Sequence, residues 1–239
     1  MMRETSVGSL EEVSLSAARW MAAALRDAAD TKERVIFALP GGRSIARPLA
    51  ALANEAVDWQ RIEIFFVDER HLPDGSTDRN DAAVDELLTS GLVALGRLRE
   101  TQIHRAPHLP GRVEDSARSY RAELQQFGGV VDVALFASGE DGHIASLFPD
   151  RPELTVDEPG ILAVRDSPKP PPERISMSPG LIASIPSVCM LFIGGGKRDA
   201  FDRFRDKRTS LAFCPAKLVS EAENLLVVAD HAANGSDDA

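Results

Sequence analysis

Cysteine is nearly absent from these 239 residues: Cys189 and Cys214 are the only two, and no Cys-x-x-Cys pair occurs. Neither a disulfide framework nor a thiolate metal site is therefore suggested, and a reduced, cytoplasmic setting is the expectation. No run approaches the roughly 20 apolar residues that cross a bilayer. The opening MMRETSVGSLEEVSLSAARW has neither the basic start nor the apolar middle of a secretory leader. Positive charge is also short, since 27 Lys and Arg against 37 Asp and Glu leave a formal net charge of −10. Broad nucleic-acid binding needs clustered cations and is not expected, whereas a small anion held by a few local cations remains compatible. Neither a Gly-x-Gly-x-x-Gly turn nor a Walker P-loop is present, so nothing supports a nucleotide cofactor. His71, His104, His108 and His231 show no paired ligand spacing with His143, so no metal is expected. No internal repeat is visible.

What is present is an alternation of apolar strands and helical stretches. SLEEVSLSAARWMAAALRDAAD repeats Val13, Ala17, Trp20, Met21 and Leu25 at helical spacing, with Ser9 as its cap. RVIFALP reads as a buried strand, ARPLAALANEA as a helix with Pro48 in its first turn, and RIEIFFVDER as a second buried strand. NDAAVDELLTSGL and VEDSARSYRAELQQF are helical, and VVDVALFAS is a third buried strand. GILAVRD, RISMS, SVCMLFIGG and ENLLVVAD supply further strands, with PGLIASI and KRDAFDRFRD as helices between them. This order predicts a layered, Rossmann-like α/β fold with a largely parallel central sheet flanked by helices. One such domain is expected over residues 1–232, with room for a small merged subdomain, followed by a disordered tail at 233–239. Three long irregular pieces, DERHLPDGSTDRN, HLPGR and DSPKPPPE, have the length of functional loops.

Parallel α/β sheets bind ligands beyond the carboxyl ends of their strands. Four strand ends here run into PGGRS, DERH, SGEDGH and GGKR, which would bring glycines, carboxylates, cations and one imidazole to a single rim. Gly41 and Gly42 let backbone amides approach an anion at a helix start, with Arg43 and Ser44 beside them. His143 is the candidate general acid and base, because an imidazole titrates near neutral pH. Asp141, two residues earlier, and Asp68 compete as its partner.

Taken together, PGGRS, FFVDERHLPDGSTDRND, GEDGHIASLFP, DSPKPPPERISMS and FIGGGKRDAF resemble, in order, the motif series of the 6-phosphogluconolactonase family. The resemblance spans nearly the whole chain. It implies a cofactor-free hydrolase that opens 6-phospho-D-glucono-1,5-lactone, and the α/β fold shared with glucosamine-6-phosphate deaminase and ribose-5-phosphate isomerase. For such a substrate Arg70, Arg174 and Lys197 are the candidate cations, and the amides near Gly139 and Gly142 are candidate oxyanion donors. The expected partner is a small phosphorylated sugar lactone, not nucleic acid or membrane, and the expected state is a monomer or small homo-oligomer.

Two other readings compete. The deaminase-type enzymes carry a further acid shortly after the DGH triplet, whereas HIASLFP has Leu147 and Phe148 and no carboxylate before Pro149. A non-catalytic sugar-phosphate sensor is the second. It draws on departures from the family pattern: Ile45-Ala46 in place of Thr-Pro, Ala137 in place of Gly, and Arg79 in place of Ser, the last adding a cation near the rim. A sensor would carry a further appendage, for which this chain has no expected spare length.

Overall fold

The computed structural model describes residues 2–236. Its centre is a six-stranded, all-parallel sheet of β1 (Met2–Gly8), β2 (Val35–Leu39), β3 (Ile62–Phe66), β5 (Val133–Ala137), β8 (Ser187–Phe192) and β9 (Asn224–Asp230). Their order across the sheet is β1-β9-β8-β5-β2-β3. Period-two side-chain alternation sorts the strands onto two cores. Val35, Phe37 and Leu39 of β2, with Val133 and Leu135 of β5, pack on α1 (Leu10–Thr31), α2 (Ala46–Leu52), α3 (Asn80–Val84) and α4 (Ser90–Ala94). Ile36, Ala38, Ala134 and Phe136 face the other side, against α5 (Val113–Gln126), α6 (Pro179–Ala183) and α7 (Arg198–Arg205). The expected α/β layering is therefore the observed one. Ser9 caps α1 as expected, accepting from the Glu12 amide while the Glu12 carboxylate accepts from Ser9.

The structure departs from the sequence reading in four places. Residues 2–8 form β1, an edge strand paired in register with β9 that the polar MRETSVG run did not suggest. Its backbone bonds come from the neighbouring strand, so it needs little apolar content of its own. RIEIFFVDER is two strands: the chain leaves the large sheet at Val67, whose amide donates to Leu39 O and whose carbonyl accepts from Met177 N. Asp68–Arg70 then becomes β4 of a separate antiparallel sheet with β6 (Ile161–Val164) and β7 (Arg174–Met177), in the order β4-β7-β6. NDAAVDELLTSGL is helical but widens into a π turn at Asp85–Thr89. Finally, the proposed tail begins inside a helix, α8 (His231–Asn234), which Asp230 caps and Gly235 ends at φ +76°. The rest of the expected tail, 237–239, lies outside the described residues.

The strand order fixes where a ligand can sit. From β2 the chain steps outward to β3, then returns to place β5 on the opposite flank of β2. The loops leaving β2 and β5 consequently diverge, opening a crevice at their carboxyl ends.

Candidate active site

A cleft of about 580 Å³ occupies this crevice. It is lined by Gly41, Gly42, Arg43 and Ser44 after β2, Asp68 and Arg70 of β4, His143 after β5, Arg174 of β7 and Lys197 after β8. Segments up to 156 residues apart in sequence thus meet at one rim, by the numbering of the first and last of these.

The two glycines serve different purposes. Gly42 has φ +98°, a left-handed backbone that admits glycine readily, and it opens the single 3₁₀ turn Arg43–Ile45 that leads into α2. Gly41 is required by contact: a Cβ there would lie 2.0 Å from Asn80 Oδ1.

The loop after β5 builds the His143 environment. His143 Nδ1 lies 2.5 Å from Asp141 Oδ1, which also accepts from the His143 amide at 3.2 Å. Asp141, rather than Asp68, is therefore the partner of the imidazole. Burial works to raise the Asp141 carboxyl, but the hydrogen bond and charge of His143, with Lys169 beyond, prevail and hold it well below the usual carboxylate range. The His143 ring packs at 4.4 Å on Phe148 and lines the cleft, so Nε2 is the nitrogen left for a reactant.

Of the amides proposed as oxyanion donors, those of the two glycines are already engaged. The Gly139 amide donates to His143 O at 2.8 Å and the Gly142 amide to Gly139 O at 3.1 Å, so both are engaged in closing the loop. Gly142 lies outside the cleft lining; its place is structural, with φ +86° and its carbonyl accepting from Ala216 N.

Asp68 is held elsewhere. Ser146 Oγ donates to its Oδ2 at 2.6 Å and Asn80 Nδ2 to its Oδ1 at 2.9 Å, while Arg174 Nη1 stands 4.0 Å away. The pairing of β4 with β7 sets Arg70 opposite Arg174. Arg174 is almost wholly buried, and burial depresses its pKa. Its Nε donates to Pro171 O and its Nη2 to Lys169 O and Pro170 O, so this guanidinium chiefly orders the DSPKPPPE loop. Arg70 donates through Nη1 to Asp78 O, and its Nε is buried without a hydrogen-bond partner. Burial, with Lys169 and Arg43 nearby, pulls the Lys197 ammonium below its ordinary value against the opposing pull of Glu140 and Asp141.

Arg79, expected near the rim, is 2% exposed and lies beneath it. It donates to both Asp81 oxygens, to Leu72 O and to Ala106 O. Asn80, Lys169 and Glu140 also line the cleft, although the sequence reading did not single them out. Their motifs, DRN and SPKP among them, were visible; which side chain of each reaches the cleft is set by loop conformation.

The model of a family described as glucosamine-6-phosphate isomerases/6-phosphogluconolactonase matches residues 8–228. The chain belongs to this family. It is 32% identical over 188 residues to the 6-phosphogluconolactonase of Borreliella burgdorferi, covering 79% of this chain and 80% of that protein. It is 35% identical over 187 residues to the 6-phosphogluconolactonase of Streptomyces coelicolor, covering 73% and 71%. Among solved structures, the 6-phosphogluconolactonase of Leishmania guyanensis matches in fold with a TM-score of 0.82 at 20% identity, over 100% of both chains. A monomeric glucosamine-6-phosphate deaminase matches with a TM-score of 0.80 at 17% identity, over 98% of this chain and 100% of that one. The fold thus houses both chemistries, and the site must discriminate. In this member, Leu147 and Phe148 after the DGH triplet are buried apolar side chains, 0% and 2% exposed.

Proposed function

We propose that this chain hydrolyses 6-phospho-D-glucono-1,5-lactone to 6-phospho-D-gluconate, a step of the oxidative pentose phosphate pathway, as a carboxylic ester hydrolase. The relatives of similar length that carry this name support the reading. The observation that carries it is the Asp141-oriented His143 in one cleft with Arg43, Arg70 and Lys197.

In this reading His143 Nε2 takes a proton from water as the oxygen attacks the lactone carbonyl. Asp141 fixes the Nδ1–H tautomer and stabilises the imidazolium. Cleavage of the bond from the carbonyl carbon to the ring oxygen returns that proton to the departing oxygen. Arg70, which lines the cleft, supplies positive charge facing a substrate oxygen. The phosphate sits at the Gly41–Ser44 turn between Arg43 and Lys197, where helix-start amides and two cations favour a dianion. No cofactor, nucleic acid or membrane enters this scheme, and the chain acts as one α/β domain in the cytoplasm, as a monomer or small homo-oligomer.

The test generates the lactone in situ and follows acid release above spontaneous hydrolysis. His143→Ala and His143→Asn are expected to lose at least about 100-fold in kcat/KM while still binding 6-phosphogluconate. Variants as fast as wild type remove His143 from the reaction. Release of ammonia from glucosamine-6-phosphate would instead assign the chain to deaminase chemistry.

A further inference from the structure

We propose that Lys169 is a positioning residue of this site: its ammonium, held against the far oxygen of Asp141, weakens the grip of Asp141 on an imidazolium and keeps His143 available as a base. The proposal deepens the lactonase reading and rests on it for the role of His143.

The geometry is a three-member chain. Asp141 Oδ1 takes the His143 Nδ1 contact at 2.5 Å, and Asp141 Oδ2 faces Lys169 Nζ at 3.7 Å, an ion-pair distance. One carboxylate is therefore shared between an imidazole and an ammonium. Without the ammonium, the full negative charge of Asp141 would stabilise a proton on His143, and a protonated ring cannot accept one from water.

The backbone from which this lysine projects is fixed on both sides. Ser167 Oγ accepts from Lys169 N at 3.2 Å and donates to Lys169 O at 2.8 Å, closing a small ring about the residue. The buried Arg174 donates to Lys169 O at 3.1 Å and to the next two carbonyls. Three consecutive prolines, Pro170 to Pro172, follow and limit the backbone further.

Other charges bear on the ring from each surrounding element. Glu140 stands on the same loop, Arg174 on β7, and Lys197 and Arg43 on the loops after β8 and β2. Asp68 and Arg70 face in from β4, with Asp68 already engaged by Ser146 and Asn80. Among these groups, Lys169 is the one in ion-pair contact with Asp141. Its side chain is 44% exposed, so solvent screens part of its charge.

Two measurements test the proposal in the full chain. Imidazole NMR titration of the free protein, with the His143 signal assigned by its loss in His143→Asn, reads the ring without needing turnover. Lys169→Met is expected to move that titration upward by about half a pH unit, and Lys169→Arg to leave it near wild type. The acid limb of kcat/KM against pH should move by the same amount, with a smaller change in the plateau. An unmoved titration in Lys169→Met, or one that Lys169→Arg fails to restore, overturns the proposal. An NMR shift in a protein whose wild type does not hydrolyse the lactone would uphold the chain of contacts and overturn the lactonase reading instead.

Discussion

Gly139 shows how tightly the reacting residue is framed. A Cβ at this position would lie 2.0 Å from His143 Nδ1 and 2.6 Å from Asp141 Oδ1, well inside contact distance. Gly139→Ala must therefore displace the imidazole or break the loop bond from the Gly139 amide to His143 O. Because small misplacements of a reacting group are costly, kcat/KM is expected to fall by about 100-fold or more, with little change in circular dichroism. A variant of near-normal rate would mean that the ring position seen here is not the working one. The same scale explains why the sequence left Asp141 and Asp68 as alternatives. Both are acidic residues at strand ends, and only the course of the chain turns one toward Nδ1 and the other toward Ser146 and Asn80.

At the scale of elements, the loop from β4 to α3 is stapled from beneath by Arg79. Its partners include Asp81 at 2.6 Å and Glu69 at 3.8 Å, all with side chains nearly excluded from solvent. Burial pushes the Glu69 carboxyl up to about 7 from its ordinary 4.5, while Arg79 and the Asn80 and Asp81 amides pull it down. A carboxyl raised in the folded state keeps a proton that the unfolded chain releases. Stability tied to Glu69 thus declines as pH climbs from about 4.5 through 7, and its ionisation cost is complete above that. Arg79→Ala removes the compensating cation and is expected to cost about 3–5 kcal/mol in urea unfolding at pH 8. The loss should be visibly smaller at pH 5, where Glu69 retains its proton; equal losses at the two pH values would contradict this account. Arg79, legible in the sequence only as extra charge, proves to be an internal strut for the segment that carries Arg70.

For the molecule as a whole, the question is whether the small antiparallel sheet is a separate unit. Ile161, Ile175 and Met177 of that sheet belong to the same core as Phe136 and Phe192 of the large one. We therefore expect one cooperative unfolding transition, with fluorescence and far-UV circular dichroism coinciding; separated midpoints would divide the chain into two domains. How much could be read beforehand follows from the physics of each feature. Apolar runs with period two, helical spacing and the Ser9 cap are local signals, and they determined most strands, most helices and the α/β layering. The family motifs likewise determined which stretches would gather at the rim. The edge strand β1, the break at Val67 and the buried course of Arg79 were not legible, because each depends on a hydrogen-bond or ion-pair partner far away in sequence. Residue type and order determined what chemistry was available. Only the tertiary structure decided which carboxylate meets His143, which amides are already engaged and which lysine stands behind the pair, since those outcomes are set by contacts between loops that the strand order alone brings together.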